Sequence, residues 1–369
     1  MWNLLSRRRF LRYSATIGAS AAFSGIATAC AQAPQRPSSD GGLLQGIRIV
    51  DAHAHPGQFY NDSPRVTDLS ATLGAITEIG MTASAFSAVG DISALRSGNV
   101  QESDYTSTTR QLRNVLNLAN RRKVKLILKS SDLPEVVGSG NPPGALLAIE
   151  GGDALGGKPE RVDEFYQMGV RMITLMHYNN NELGDMMVAY GSKQPASPRN
   201  GLTSAGRKIV ERMQELGMVV DVAHAQSLTL KHIAEMSKKP VVDSHTSPCP
   251  MPNPPGCARA RNWEDMERVA KTGGVVCTWP FAYKTSNATR QTFSDWALEI
   301  LEMKKRLGME HVGLGTDGGG GLPALIGGYR DERDLAPLAA AMQEAGLSQD
   351  DLRAYMGGNF IRVLQLCIG

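Results

Sequence analysis

The sequence predicts an α/β chain closed into a single (β/α)8 TIM barrel, and three observations carry that prediction. From Ile47 onward, short β-rich runs alternate with amphipathic helical stretches, the signature of parallel strands joined by helical crossovers. Eight runs fit this alternation, enough for the sheet to close on itself. Most of those runs end in a histidine or a carboxylate, which places polar chemistry on the rim where barrel sites are built. A chain of 369 residues that is 42% hydrophobic can bury so large a core as one unit.

Taken in order, residues 1–33 read as a twin-arginine export signal. Ser6-Arg7-Arg8-Arg9-Phe10-Leu11-Arg12 precedes an apolar run from Tyr13 to Ala29 that is too short, and too rich in Gly, Ser and Ala, for a transmembrane span. Ala27-Thr28-Ala29 and Ala31-Gln32-Ala33 compete as cleavage sites, and Cys30 could accept a lipid anchor. The expected location is therefore periplasmic, or lipid-anchored at the cell envelope. Residues 34–46 read as a linker and 47–369 as one domain. Candidate strands are 47–52, 82–88, 144–149, 171–176, 218–223, 240–245, 274–280 and 311–316. Candidate helices are 68–79, 103–122, 159–168, 203–217, 227–237, 263–272, 293–307 and 333–345, with Thr203 as an N-cap and Gly217 as a stop. A further run, Val124–Lys129, precedes Gly144 by too few residues for a helical crossover and is assigned outside the barrel.

The balance of 39 basic and 36 acidic residues gives a net charge of +3, several of the basic residues lying in the leader. The remainder is near neutral and offers no footprint for nucleic acid. No CxxC spacing occurs among the five cysteines, which argues against a thiolate zinc site. Cys249 and Cys257 either close a small proline-rich loop or stand as two free thiols, and Cys277 reads as a core residue.

The strand ends carry the chemistry. Strand 1 delivers His53 and His55, alternate residues that point to one side. Strand 3 delivers Glu150, strand 4 His177, strand 5 His224, strand 6 His245 and strand 8 Asp317. Five of the seven histidines thus reach one face of the barrel. Imidazole and carboxylate without thiolate suit Zn²⁺ best, with Mn²⁺, Fe²⁺ or Co²⁺ as alternatives. Two such ions need a shared anionic ligand, and Glu150 can bridge them. A two-metal site acidifies bound water and polarises a carbonyl, so a hydrolase follows. His232, mid-helix, and His311, at a strand start, read as structural. Asp221 and Asp243 either accept imidazole N–H groups or are paired polar residues. Gly318–Gly321 lacks a phosphate-loop pattern and reads as a flexible loop at the mouth. Arg259-Ala260-Arg261-Asn262 supplies either a surface cation or an arginine that grips a substrate carboxylate.

Several stretches together resemble the membrane dipeptidase (renal dipeptidase) family, peptidase M19, within the metal-dependent amidohydrolase-like barrels. They are Asp51-Ala52-His53-Ala54-His55, Ala148-Ile149-Glu150-Gly151-Gly152, Thr174-Leu175-Met176-His177, Asp221-Val222-Ala223-His224 and Val242-Asp243-Ser244-His245. Arg261-Asn262, Gly313-Leu314-Gly315-Thr316-Asp317-Gly318 and Gly358-Asn359-Phe360-Ile361-Arg362-Val363 complete the set, which runs from Ile47 to the end. The resemblance implies a barrel holding two zinc ions. One would be held by His53, His55 and Glu150, the other by Glu150, His224 and His245. His177 would bind the substrate at the scissile bond, Arg261 its C-terminal carboxylate, and Asp317 would manage the proton passed to the leaving amine. The implied activity is hydrolysis of dipeptides, often with a D-residue at the C-terminal position, by a metal-bridging hydroxide. Members are often homodimers.

Three features depart from the family pattern. His55 stands where the family usually has aspartate, Gly319 where it commonly has an acidic residue, and the loop from His245 to Arg261 is long. These departures keep open another amide, lactone or phosphoester as substrate. A catalytically inactive metal-binding envelope protein is the reading from outside the enzymes.

Overall fold

The computed structural model describes residues 42–58, 60, 72–95, 102–135, 142–187, 199–249, 259–284 and 289–369. Among them, eight strands pair in parallel and in chain order: β1 (Val50–Ala54), β2 (Ala83–Val89), β3 (Gly144–Glu150), β4 (Val170–Thr174), β5 (Val219–Asp221), β6 (Val241–Thr246), β7 (Val275–Thr278) and β8 (Val312–Leu314). The ring closes through a parallel bridge between Ala54 and Gly318 just past β8. There the His55 N–H donates to the Gly318 carbonyl at 2.7 Å and the Asp317 N–H to the His53 carbonyl at 2.8 Å. The Asp51 carboxylate adds to this contact by accepting both the Thr316 N–H, at 2.8 Å, and its hydroxyl, at 2.5 Å. The barrel predicted from the sequence is the fold observed.

The run at 124–129 supplies only a two-residue strand, Lys125–Leu126, which pairs with the start of β3 outside the ring. β5 and β8 are three residues long because the chain leaves strand geometry early. His224, at φ 63°, and Asp317, at φ 51°, sit in left-handed backbone just beyond them. Helices fall where the caps place them. Ser103, Thr203 and Asn262 each accept a backbone N–H at the start of Asp104–Asn120, Ser204–Glu215 and Trp263–Lys271. Thr292 and Asp295 cap Phe293–Leu307 reciprocally. Leu43 and Leu44 already pack on the core, so the folded chain reaches into the stretch read as linker. The leader, residues 68–71 and the proline-rich loop at 250–258 lie outside the described residues.

Two cores stabilise this frame. The larger lies between the sheet and the helical ring. The other fills the barrel from below, where Val50, Ala52, Ala83, Ala85, Leu146 and Ala148, spaced by two along their strands, meet a C-terminal plug. That plug, not read from the sequence, is the helix Asn359–Ile368, reached from Gln349–Arg353 through one π-helical turn. It contributes Phe360, Ile361, Val363, Leu364 and Cys367.

Candidate metal centre

Above the apolar floor comes a layer of small polar side chains. Asp221, fully buried, accepts the hydroxyls of Thr174 at 2.5 Å and Ser244 at 2.7 Å, and the backbone N–H groups of Ala223 and Ser244 at 3.0 Å each. Ser244 Oγ in turn lies 2.9 Å from His245 Nδ1 and 3.4 Å from His53 Nδ1, while Ser87 Oγ is 3.3 Å from that same His53 nitrogen. Asp221 therefore reaches the histidines through Ser244 rather than directly. His55 Nδ1 is 2.9 Å from the Ser87 carbonyl. A carbonyl can only accept, so the proton sits on Nδ1 and Nε2 is the lone-pair atom.

The Nε2 atoms converge on Glu150, which is 2% exposed. Glu150 Oε1 is 3.0 Å from His224, 3.4 Å from His245 and 3.5 Å from His53. Its Oε2 is 3.1 Å from His55 and 3.4 Å from His177. The His53 and His55 Nε2 atoms are 3.1 Å apart, those of His224 and His245 2.8 Å apart. Asp317 Oδ1 closes the group, 3.5 Å from His55 Nε2. Among the described residues, ligand atoms fall into three overlapping clusters, each within 4.8 Å. These are His53, His55 and Asp317; His53, Glu150 and His245; and Glu150, His177 and His224. The edge of a tetrahedron with zinc–nitrogen bonds of about 2.05 Å is about 3.4 Å. Separations of 2.8–3.5 Å between buried lone-pair atoms are those of ligands facing a shared cation, so this donor set fits one or more first-row metal ions.

The electrostatics are those of a cation-hungry site. Burial raises Glu150, yet the surrounding histidines win and hold it well below the usual carboxylate range. Burial opposes charge on His53, but Glu150, Asp317 and Asp221 overcome it and push the ring up to about 9. His245, desolvated and beside His53, drops to about 3, and His224 falls well below its ordinary value through burial and the nearby Arg259. Asp317 is raised by burial against the pull of His55 and His53.

Arg261 is used differently from the expectation. It is 1% exposed, and its Nε donates to Asp243 at 2.6 Å while its two terminal nitrogens donate to the carbonyls of Ala225 and Val222. Every arm of the fork is spent inside the protein, which also makes Asp243 the paired polar residue of the two readings. The arginine that faces the site is Arg259. It donates to the His177 carbonyl at 3.1 Å and lies 4.6 Å from the centre of the Tyr178 ring. His311 bonds the Gly274 carbonyl and His232 accepts from the Leu202 N–H, both remote from the centre.

Sequence reasoning missed the walls. Tyr60 packs edge-on to His55 and donates to the Gly319 carbonyl at 2.8 Å, and Trp279 packs against His245. It also missed Asp91, whose Oδ1 is 2.9 Å from His177 Nδ1. Val89-Gly90-Asp91 ends β2, a strand to which no site residue had been assigned. Cys249 is disulfide-bonded to a partner outside the described residues, and Cys277 and Cys367 are buried free thiols.

A family model described as membrane dipeptidase (peptidase family M19) matches residues 43–367. The dipeptidase verJ of Clonostachys rogersoniana is 30% identical over 269 residues, 72% of this chain and 66% of that protein. The dipeptidase aclJ of Aspergillus oryzae is 31% identical over 225 residues, 60% of this chain and 50% of its own length. The chain thus spans about half to two thirds of these relatives. Among solved structures, a metallo peptidase from Rhodobacter sphaeroides, liganded with a phosphinate mimic of the dipeptide L-Ala-D-Ala, superposes with a TM-score of 0.73 at 18% identity, covering 87% of this chain and 99% of that one. An amidohydrolase from Pseudomonas aeruginosa gives 0.71 at 20% identity, over 89% and 99%. With the family model matched along nearly the whole barrel, the chain belongs to the membrane dipeptidase family, peptidase family M19.

Proposed function

We propose that this chain is an exported metallodipeptidase whose site would take two zinc ions, with Glu150 among the residues that hold them. The observation that carries the reading is the convergence of five imidazoles and two carboxylates on the C-terminal rim of a barrel from this family. Bound metal supplies an acidified water and a polarised scissile carbonyl. The protein's own groups do the rest. His53, His55, Glu150, His224 and His245 would hold the ions, and His177 turns Nε2, which faces Glu150 Oε2, toward the substrate at the scissile bond. Asp317, raised by burial, takes the nucleophile's proton and delivers it to the leaving amine. Arg259, at the mouth, grips the dipeptide's carboxylate, because Arg261 is buried with all three of its nitrogens turned to Asp243 and the carbonyls of Ala225 and Val222. A D-residue at the C-terminal position fits the phosphinate-bound relative. Export rests on the leader and is supported by the Cys249 disulfide, which suits an oxidising compartment. Among the described residues, no helix is long and apolar enough to cross a membrane.

The test is elemental analysis of leader-free protein, followed by assay of the same sample against dipeptides with L- and D-residues at the second position. Two zincs with cleavage are expected, and Glu150→Gln should lose both metal and turnover. Metal bound with every dipeptide untouched would refute the substrate assignment, and a fully metallated, fully active Glu150→Gln would refute the site.

A further inference from the structure

We propose that Asp91 is the positioning residue of the active site, locking the His177 ring so that Nε2, and not Nδ1, meets the substrate. The inference rests on the dipeptidase reading for its kinetic consequence, but its geometry stands alone. Asp91 is fully buried at the end of β2. Its Oδ1 lies 2.9 Å from His177 Nδ1, and its Oδ2 accepts the Tyr178 N–H at 2.7 Å. A carboxylate only accepts, so the His177 ring carries its proton on Nδ1 and turns the other nitrogen toward Glu150 Oε2, 3.4 Å away. One side chain thus fixes the ring of residue 177 and the backbone of residue 178. Through the Tyr178 ring, packed 4.0 Å from His177 and under Arg259, it also sets the wall of the pocket.

Two glycines make room for this contact. A Cβ at Gly90 would lie 2.0 Å from the Gly151 carbonyl oxygen. Gly151, at φ 103°, would bring a Cβ to 3.0 Å from the Asp91 carboxylate. The ends of β2 and β3 therefore approach closely enough for Asp91 to reach the histidine delivered by β4. A turn-capping role alone would be served by a neutral Asn or Ser. Burying a carboxylate here instead carries a visible cost. Asp153, desolvated and beside Asp91, is driven up to about 7. That cost is offset by polar partners, and Asp91 has two in reach, the ring of His177 and the Tyr178 N–H.

The experiment is the isosteric Asp91→Asn variant of the metallated enzyme, with Asp91→Ala beside it. We expect kcat to fall about 10- to 100-fold, with KM within about threefold and metal content unchanged. In a His177→Asn background the same Asp91→Asn change should cost less than about twofold, since the ring it positions is gone. A structural role would give the same loss in both backgrounds, and that result would overturn the proposal, as would a kcat within about twofold of the parent. Nitrogen-15 NMR of the imidazoles in the parent should show His177 protonated at Nδ1. A proton on Nε2 alone would refute the positioning even if the parent cleaved no dipeptide.

Discussion

Replacing Arg261 separates a structural from a substrate-binding arginine, because the two roles predict opposite signatures. Arg261 and Asp243 are both at most 1% exposed and joined at 2.6 Å. Arg261→Met keeps most of the volume but strands the Asp243 charge and leaves the Ala225 and Val222 carbonyls without their donor. Removing one partner of a buried pair costs about 3–5 kcal/mol, which lowers the melting temperature by roughly 4–8 °C for a domain of this size. The loss also depends on pH. Burial already raises Asp243 to about 6 against the pull of Arg261, and removing the arginine raises it further. A carboxyl with a higher pKa folded than unfolded takes up protons on folding, so its charge penalty is full at high pH and fades as pH falls. The deficit of Arg261→Met should therefore shrink between pH 8 and pH 5. The assay is thermal unfolding of parent and variant across that range, with KM measured on the metallated fraction. The double variant Arg261→Met, Asp243→Leu should recover most of the loss. A variant that melts within 2 °C of the parent, yet binds dipeptide about tenfold more weakly, would refute the structural assignment.

Arg259→Met should raise KM about 10- to 100-fold with the melting temperature unchanged, since its contact is a charged hydrogen bond at the mouth; an unchanged KM would remove Arg259 from the substrate. Metal uptake near pH 7.5 should release about one proton, measurable by calorimetry in buffers of different ionisation enthalpy. The raised pKa of His53, about 9, means the apoprotein holds a proton that a metal must displace. Apparent affinity then falls as pH is lowered through that range. The stability His53 lends the apoprotein is complete below its ordinary 6.5 and lost as pH rises past 9, and metal uptake with no proton released would contradict this account. Gly315→Ala should destabilise by about 1–3 kcal/mol or more, because its Cβ would lie 1.7 Å from the Ser244 carbonyl oxygen. A melt matching the parent's would show that β8 can yield.

The residues legible in the sequence were those whose backbone geometry does the aiming. His53, His55 and Glu150 follow strands whose alternation dictates direction, so periodicity alone put them on the rim. His224 and Asp317 were found by the same rule, although each needs a left-handed turn to arrive. What stayed hidden depended on burial and on partners distant in the chain. Nothing in Arg259-Ala260-Arg261 says that the second arginine turns inward to Asp243 while the first stays at the mouth. Asp91 drew no reading from the sequence, because its partner His177 lies 86 positions away. The C-terminal plug escaped notice because its apolar face is written only against the barrel floor, which exists only once the ring has closed.

The join between the first and last strands has a thermodynamic meaning. Elsewhere neighbouring strands share ladders, but here a lone bridge and the side-chain clip from Asp51 to Thr316 hold the ring shut. The residues flanking that bridge, His55 on one side and Asp317 on the other, are site residues themselves. An ion held by His53 and His55 together with Glu150 would tie β1, one edge of this seam, to the strands across the site, and its binding energy would add to the energy of keeping that edge in place. In the unloaded protein this seam should exchange its amide hydrogens first, and loading should slow it more than any other part of the sheet.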